Sequence, residues 1–347
     1  MGNGAKRPVG SAAQGKGRTG VLAVGSVMVD RLCSVPRLPK SGEGIVCTSS
    51  GVALGGCALN AANVARQLGA DVRLFVPVGE GPNADFVWRE LAARGFDDQC
   101  MPGGAGSGLD CGIALCLVEP SGERSMVTIP GIERSFDAAW FDILEAEDLS
   151  GIRYGFASGY ELEPAGGDAI VGFFERHPEI CLWYAPGPRT CAIPVERVRR
   201  IDALRPVWHL NEAEACAYTG CPTVERAGAY LALTNGNAAI VTVGSEGAVA
   251  FVAAGGSSAF GVEDPSAWTR LSEGSVLCIH VPTVPIDVRD TVGAGDAHLG
   301  ALCSARAVGL SWERSLDIAN RAAGAVCRAR GAGVSDAEFA RMGLRLA

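Results

Sequence analysis

The sequence lacks the cysteine and histidine spacing that would build a disulfide framework or a metal centre. It has 347 residues, among them 13 Cys and 4 His. The number of cysteines is odd, they are scattered, and no two of them form a C-x-x-C pair. The histidines likewise show no spacing typical of metal ligands. We therefore interpret the cysteines as free thiols of a protein in the reducing cytoplasm.

The sequence also lacks a long apolar run and an excess of positive charge. No segment approaches the roughly 20 consecutive apolar residues that a membrane-spanning helix needs. Residues 1–19 are polar, basic and glycine-rich and have no apolar signal-peptide core, so we predict a disordered leader there. The net charge of −8 argues against nucleic acid as the main partner. We therefore expect neither a membrane nor a nucleic acid among its partners.

Two glycine-rich near-motifs in the leader lack the context that they require. Residues 15–20 match the dinucleotide pattern G-x-G-x-x-G, but the nearest predicted strand, Val21–Val24, follows them instead of preceding them. Residues 10–16 spell most of a P-loop, yet Gly17 stands where Ser or Thr must reach Mg²⁺. A dehydrogenase is disfavoured because its fingerprint occurs only here.

Apolar strands alternate with helices along most of the chain. Val21–Val24 is followed by a helix that opens after Gly56, and Val72–Val78 by a helix over Ala84–Arg94. Further strands are predicted at Tyr154–Ala157, Cys181–Tyr184, Val207–Leu210 and Ala239–Val243. Further helices are predicted at Gly167–Arg176, Glu212–Thr219, Val224–Leu233, Ala297–Val308, Trp312–Arg330 and Asp336–Leu346. This alternation predicts an α/β domain over 20–347 with a doubly wound, mostly parallel sheet.

One region breaks the alternation. Cys111–Val118 and Arg124–Ile129 flank a turn and predict an antiparallel hairpin. With Ile45–Leu54 this hairpin predicts a small second sheet, with strands from about 44–54 and 110–130. Ligands of open α/β folds bind at the carboxyl ends of the parallel strands, and we expect the small sheet to form a lid there.

The segment Asp-Thr-Val-Gly-Ala-Gly-Asp at 290–296 is the strongest chemical signal. Gly293, Ala294 and Gly295 are small, and their N–H groups would converge at the start of a helix, where anions bind. Asp296 would lie in the first turn, placed to accept a proton from an attacking hydroxyl. From these residues alone, a glycine turn with an Asp N-cap is an equally good interpretation.

With this segment the chain resembles the PfkB, or ribokinase-like, carbohydrate kinase family, whose C-terminal signature is D-T-x-G-A-G-D. Other segments match in family order: Gly25-Ser26 with Asp30, P-x-x-G-E at Pro39–Glu43, G-G-x-x-x-N at Gly55–Asn60, Leu68-Gly69, N-x-x-E at Asn211–Glu214 and T-x-G-x-x-G at Thr242–Gly247. The resemblance covers about residues 21 to 335. It implies a three-layer α/β/α sandwich with a small β-sheet lid. It also implies an ATP-dependent kinase that transfers the γ-phosphoryl group to a hydroxyl, expected to be primary, of a sugar or sugar derivative.

The resemblance further implies roles for individual residues. Substrate contacts fall on Asp30, Gly55, Gly56, Asn60 and Glu161, the last with Glu163 as a neighbour at similar spacing. The catalytic set is Asp296 with Gly293, Ala294 and Gly295. The nucleotide side would be formed by Asn211, Thr242, Gly244, Gly247 and Asn320. Glu214 would hold Mg²⁺ through water, and the carbonyls near Asp290, Val292 and Gly331 would bind K⁺.

The chain departs from the family pattern at several positions. Ala185 replaces an acid in a segment similar to D-P-x-x-R, although Arg189 remains as a candidate contact for phosphate or substrate. Cys57 stands where ribokinases usually carry Lys, so D-ribose is not assured as the acceptor. Ala253–Leu277 is longer than usual and is interpreted as a long loop or an extra hairpin. We interpret His298 as a helix residue near the cleft.

Two alternatives to a sugar kinase stay open. A nucleoside kinase would share the fold but would need a slot for a base. Aromatic residues are scarce, at 6%, which favours a sugar. A non-catalytic, ligand-sensing relative would be expected to lose the base or the anion site, and the sequence retains Asp296 and Gly293–Gly295. Pairing of two copies through the lid is expected because an exposed sheet edge invites it.

Overall fold

The computed structural model describes residues 20–96, 107–120, 124–254, 268–271, 275–329 and 331–346. The predicted leader, 1–19, lies outside the described residues. The strands are β1 Gly20–Val24, β2 Met28–Ser34, β3 Ser49–Gly55, β4 Val72–Phe75, β5 Ile113–Val118, β6 Arg124–Ile129, β7 Ile152–Ser158, β8 Cys181–Ala185, β9 Val207–Asn211, β10 Ala238–Thr242, β11 Ala248–Ala253, β12 Thr269–Leu271 and β13 Val276–Val281. The helices are α1 Cys57–Gln67, α2 Pro82–Ala93, α3 Ala138–Glu145, α4 Gly159–Leu162, α5 Gly167–Arg176, α6 Val195–Ala203, α7 Glu212–Thr219, α8 Val224–Asn235, α9 Ala294–Ala307, α10 Trp312–Arg328 and α11 Asp336–Arg341.

Nine of these strands form the central sheet, in the order β12-β13-β11-β10-β9-β8-β7-β1-β4. The neighbours from β10 to β4 are all parallel. The neighbours from β10 to β12 are antiparallel. The predicted, mostly parallel sheet is confirmed.

Helices cover both faces of this sheet, which gives three layers. In β1, Val21 and Ala23 pack with α1, α2, α9, α10 and α11, whereas Leu22 and Val24 pack with α3 and α5 to α8. This alternation is the period of two that a strand imposes on its side chains. In the part of the chain described here, no helix combines the length and apolar character needed to cross a membrane.

A second sheet, which we call the lid, has the order β3-β2-β5-β6. It contains the three predicted segments, but the sequence analysis missed its central strand, β2. Asp30, which was matched to the family together with Gly25-Ser26 of the first strand, lies inside β2 and is paired with Ala53 and Ala114. The polar residues of Met28–Ser34 give weak strand periodicity. Pairing with β3 and β5 therefore determines its structure, and such pairing is not visible locally.

Two strands that come late in the chain and belong to the central sheet, β11 and β13, were not predicted. β11 and β13 form an antiparallel pair, and β12 lies beside β13, where a long loop or a hairpin over Ala253–Leu277 was expected. Residues 255–267 and 272–274 of that segment lie outside the described residues. The antiparallel pairing shows that the hairpin interpretation holds for the flanks of the segment.

Candidate active site

Close contact between two helices places the residues around Asp296. In α9, a Cβ added to Gly300 would lie 2.2 Å from the carbonyl oxygen of Ala61 in α1. Only glycine permits this approach, which sets the first turn of α1 beside the first turn of α9. Asn60 then donates from Nδ2 to Oδ2 of Asp296 over 2.9 Å. The two residues are 236 positions apart in the sequence.

The thiol of Cys57 also hydrogen-bonds to Asp296 from the first turn of α1. Burial raises the pKa of Asp296 above its usual value, and the hydrogen bonds from Asn60 and Cys57 oppose that rise. The result is a carboxylate that is fixed in position and more basic than one in water. Such a group can accept the proton of a bound hydroxyl.

The predicted anion loop lies at the start of α9. Gly293 is the N-cap, with φ 76°, and a Cβ there would lie 2.7 Å from the carbonyl oxygen of Ala332. Gly295 is exposed, and a Cβ on it would meet no atom within 4 Å. The N–H groups of a first helical turn have no partner inside the helix. The Ala294 N–H donates to the carbonyl of Thr291 at 3.2 Å, and the other N–H groups beside the open space at Gly295 suit a phosphate.

Asp30, on strand β2 of the lid, lies close enough to Asp296 for their charges to interact, and we call the space around these acids the pocket. Its carboxylate occupies the space that a side chain on Gly55 would fill, with Oδ2 only 2.2 Å from the position of that Cβ. Gly56 has φ 111°, and a Cβ there would lie 2.4 Å from the carbonyl oxygen of Ser26. Burial, followed by the negative charge of Asp296, raises the pKa of Asp30 to about 6. Gly55 therefore makes room for the Asp30 carboxylate, and Gly56 allows the chain to pass close to the backbone of Ser26.

Glu161 adds a third carboxylate from the first turn of α4, and it is 1% exposed. The hydroxyl of Ser158 donates to its Oε2, and Ser26 also hydrogen-bonds to it. Its Oε1 has no hydrogen-bond partner among the residues that the structure describes. Burial is the main reason that the pKa of Glu161 is raised to about 6. An acceptor atom buried in this way suits a ligand hydroxyl.

The structure separates Glu161 from Glu163, which the sequence could not do. Glu163 forms ion pairs with Nε of Arg189 at 2.9 Å and with Nη2 of Arg134 at 3.6 Å. The guanidinium of Arg189 also lies 5.5 Å from the ring centroid of Tyr160. Burial, with the negative charges of the pocket, raises the pKa of Tyr160 to about 12. Tyr160 and Arg189 therefore form part of the pocket rim.

On the predicted nucleotide side, Asn211 and Glu214 form a capping box on α7. The Asn211 side chain accepts the Glu214 N–H at 2.8 Å, and the Glu214 side chain accepts the Asn211 N–H at 3.0 Å. Burial raises the pKa of Glu214, against the opposing effect of these hydrogen bonds. The capping box explains the N-x-x-E spacing without a metal, so the Mg²⁺ role of Glu214 stays a prediction.

Two of the remaining nucleotide-side residues, Gly247 and Asn320, lie against the carbonyl of Val281 at the end of β13. Asn320 is buried and donates from Nδ2 to the carbonyl of Val281 at 2.8 Å. A Cβ on Gly247, with φ 102°, would lie 2.2 Å from the same carbonyl oxygen. Thr242 ends β10, and Gly244 follows it with φ 59°. β9 and β10 are parallel, so Asn211 and Thr242 lie at the same sheet edge.

Asp290, Val292 and Gly331 are brought together by a side chain. The carboxylate of Asp290 accepts the Val292 N–H at 2.9 Å and the Gly331 N–H at 2.6 Å, and it forms an ion pair with Arg124 of β6. Burial would raise the pKa of Asp290, but the two N–H donors and the guanidinium outweigh it and lower the pKa. The K⁺ contacts of the three carbonyls stay a prediction.

His298 is buried inside the fold, where its Nδ1 lies 2.9 Å from Nε2 of His209 in β9. Burial lowers the pKa of His209 to about 4 and lowers that of His298 as well. Both rings are therefore neutral at physiological pH, and neither reaches the pocket as a charged group. His298 lies in helix α9, as interpreted, and its hydrogen bond to Asn320 brings it next to the predicted nucleotide side.

Sequence reasoning missed several residues that line the pocket or its lid. Ser158 could have been found, because Ser158-x-x-Glu161 is the spacing of an N-cap serine and a first-turn acid. Tyr160 lies between Ser158 and Glu161 in the sequence, and Ser26 directly follows Gly25, so both are adjacent to residues that the sequence analysis had already named. No local signal marks Arg124, since its contact with Asp290 depends on the lid folding over the body.

Comparisons with known proteins agree with this architecture. Residues 18–338 match the model of the pfkB family carbohydrate kinases. The chain is 31% identical to the uncharacterized sugar kinase YegV of Escherichia coli (strain K12) over 314 residues, which is 90% of each chain. The ribokinase of Giardia lamblia superposes with a TM-score of 0.74 at 17% identity, covering 93% of this chain and 99% of that one. The Burkholderia thailandensis nucleoside kinase, solved with inosine, gives a TM-score of 0.67 at 19% identity and covers 94% and 98%.

Proposed function

Because the chain belongs to the pfkB family of carbohydrate kinases, we propose that it phosphorylates a primary hydroxyl of a polyhydroxylated acceptor, with Asp296 as the general base. The observation that carries this proposal is the grouping of three carboxylates, Asp30, Glu161 and Asp296, in one pocket beside the open anion loop. Carboxylate oxygens accept hydrogen bonds from hydroxyls, and a polyol offers several at once.

The acceptor would be bound by groups on both sides of the pocket. Asp30 and Glu161 would each accept a hydrogen bond from a hydroxyl, and Oε1 of Glu161, which has no partner among the described residues, would gain one. Asn60 and Cys57 already hydrogen-bond to Asp296, and because a carboxylate has about four acceptor positions it can still accept the attacking hydroxyl. A pocket built in this way rejects analogues that lack a hydroxyl, because buried polar atoms would stay unpaired.

Phosphoryl transfer would then depend on position and electrostatics. Asp296 would take the hydroxyl proton, and the N–H groups of Gly293, Ala294 and Gly295 would bind the charge that develops on the phosphoryl oxygens. Mg²⁺ supplies positive charge between the phosphates when it is bound, and Glu214 would hold it through water. Asn211, Thr242, Gly244, Gly247 and Asn320 would shape the nucleotide side, and the carbonyls of Asp290, Val292 and Gly331 would bind K⁺.

The lid supports a further proposal, that two copies pair through it. β3 and β6 are its edge strands, and Val52, Met126, Val127 and Ile129 on them are half exposed or more. Exposed apolar strands at a sheet edge favour pairing with a second chain. Light scattering tests this pairing: a molecular mass of two chains would support it, and a mass of one chain would refute it. We place the protein in the cytoplasm, where ATP is available and where its described cysteines, which form no disulfide, would stay reduced.

A nucleoside acceptor is the second candidate, and one observation favours it. Tyr160 presents a partly exposed aromatic ring at the pocket rim, with Arg189 beside it. A base could stack on that ring. The pocket acids serve a ribose as well as a free sugar, so the two candidates differ only at the rim.

A screen with ATP and Mg²⁺ tests both candidates. Free sugars, sugar derivatives and nucleosides are offered singly, ADP release is measured, and the phosphorylated product is identified by its mass. We expect efficient turnover with a sugar-like polyol and none with the Asp296→Asn variant. Efficient turnover of nucleosides without turnover of sugars selects the second candidate. Turnover that the Asp296→Asn variant retains refutes the site.

A further inference from the structure

A buried ion pair joins the lid to the loop that leads into the anion site. Arg124 is the first residue of β6, and its Nη2 contacts Oδ2 of Asp290. The side chains are 17% and 1% exposed, respectively. Asp290 belongs to the body of the protein and lies three residues before Gly293. This pair therefore connects two parts that must separate if the lid is to open.

The same carboxylate shapes the loop. Asp290 holds the N–H of Val292 at 2.9 Å and the N–H of Gly331 at 2.6 Å. Three donors thus converge on it, and two of them belong to the backbone around the anion site. Removal of the third donor, the guanidinium, would leave a buried carboxylate with less compensation. A movement of the lid would therefore change the contacts of Asp290 and, through them, the hydrogen bonds that hold the loop.

The surroundings of Arg124 favour a contact that exists only when the lid is closed. Its Nη1 is buried and has no hydrogen-bond partner among the described residues. The thiol of Cys116, on the neighbouring strand β5, hydrogen-bonds to Arg124 and lies within reach of the charges of Asp30 and Asp290. A guanidinium in such a place is dehydrated, and water would replace its partners as soon as the lid opened. Its attraction to Asp290 is therefore strongest in the closed arrangement.

We propose that Arg124 is a positioning residue which couples closure of the lid to the geometry of the anion loop through its ion pair with Asp290. This inference rests on the proposed kinase function but adds a task for the lid. When the pair forms, the loop is held for phosphoryl transfer and water is excluded. When the pair is absent, the loop loses its third donor and water can attack ATP in place of the acceptor.

Arg124→Gln tests the coupling, with Arg124→Lys as the conservative variant. We expect kcat to fall by about 10-fold to 10²-fold in the Gln variant, as for a small misplacement of reacting groups. ADP formed per phosphorylated acceptor should rise above one, and the Lys variant should restore part of both values. Arg176→Gln, which breaks an exposed ion pair with Glu145, is the control and should change neither value.

Two further measurements decide the outcome. The double variant with Asp290→Asn should be no worse than the more damaging single variant, because both changes break the same contact. Without any substrate, amide hydrogen exchange in 113–118 and 124–129 should be faster in Arg124→Gln than in the wild type. Unchanged exchange, or effects of the two substitutions that simply add, would overturn the proposal. Since exchange needs no turnover, a wild type inactive on every acceptor would refute the proposed function separately.

Discussion

At the scale of single residues, the pocket is defined by acids that are difficult to keep ionised. Asp30, Glu161 and Asp296 all have raised pKa values, and burial is the largest cause for each of them. Asp296 also raises the pKa of both other acids through its charge. A bound polyol would relieve part of this cost, because its hydroxyls donate to the charged oxygens.

Asp296→Asn should reduce turnover by about 10² to 10⁴-fold, the range usual for loss of a general base. The fold should survive, since the amide is isosteric with the carboxylate. ATP affinity, measured by calorimetry, should change little. The control is Asp142→Asn, an exposed carboxylate on α3. A kcat close to that of the wild type in purified Asp296→Asn would exclude the residue as the base.

Glu161→Gln should weaken acceptor binding and yet stabilise the protein. Its folded-state pKa of about 6 exceeds its ordinary value of 4.5, so the folded state binds more protons between these values. Stability is therefore lost as pH rises through that window, by about 2 kcal/mol once the group is ionised. We expect a higher melting temperature for the variant at pH 8, little difference near pH 4.5, and a raised KM for the acceptor.

The control for that experiment is Glu163→Gln. Glu163 lies two residues away and pairs with Arg189, so its substitution should not stabilise the protein at pH 8. A lower melting temperature for Glu161→Gln than for the wild type at pH 8 would contradict the account of Glu161 as a buried charge whose hydrogen bonds do not offset the cost of burial.

At the scale of elements, one substitution in α7 separates the capping role of Glu214 from its proposed role in holding Mg²⁺. Its capping box uses Asn211 and Glu214, and Gln serves in a capping box as well as Glu does. Glu214→Gln should therefore keep the melting temperature, whereas Asn211→Ala should cost about 1 kcal/mol. If Glu214 also holds Mg²⁺ through water, its Gln variant should need a higher Mg²⁺ concentration for half-maximal rate. An unchanged Mg²⁺ requirement would leave only the structural role.

The open space beside the first turn of α9 allows a prediction of what a side chain added at Gly295 would do. Gly295 has ordinary helical backbone angles, so the expected effect of a side chain there is steric and needs no positive φ. Gly295→Ala should keep or slightly raise stability, because Ala favours helices. It should nevertheless lower kcat/KM for ATP by about 10²-fold by displacing the phosphate. Gly172→Ala in α5, where a Cβ meets only the ends of the Arg176 and Arg200 side chains, is the matched control. Equal kinetics in the two variants would show that the phosphate does not bind beside Gly295.

The same two elements show what the sequence could and could not predict. α7 was predicted with its observed bounds, because its start and end signals are local: Asn211 before it and Gly220 after it. The loop before α9 was also recognisable, because its small residues and acid are contiguous. β2 was missed, since its identity depends on partners 15 to 27 residues away in β3 and 84 residues away in β5. The contact of Asn60 with Asp296 needs α1 packed on α9, which no local pattern reports.

At the scale of the whole molecule, the buried histidine pair makes the interior sensitive to acid. His209 and His298 lie between β9 and α9, and burial lowers both pKa values. The unfolded chain would take up protons near pH 6.5, whereas the folded chain resists until about pH 4 at His209. Stability therefore falls as pH decreases through this window. This effect has the opposite sign to that of Glu161.

His209→Gln should reduce the loss of stability on acidification. At pH 5 the titration of His209 alone should cost the wild type about 2 kcal/mol relative to neutral pH. The melting temperature of the variant should thus change less between pH 7.5 and pH 5. Identical pH dependence in the His209 variant and the wild type would show that the pair does not control acid sensitivity.

The position of Asp30 has a consequence for the speed of the enzyme. Asp30 lies on β2, so one of the groups proposed to hold the acceptor belongs to the lid itself. The acceptor and its phosphorylated product are then released only as fast as the lid opens. Tighter binding through Asp30 would lengthen the residence time of the product and slow each cycle. Substitutions selected for affinity at this residue would therefore trade catalytic throughput for occupancy.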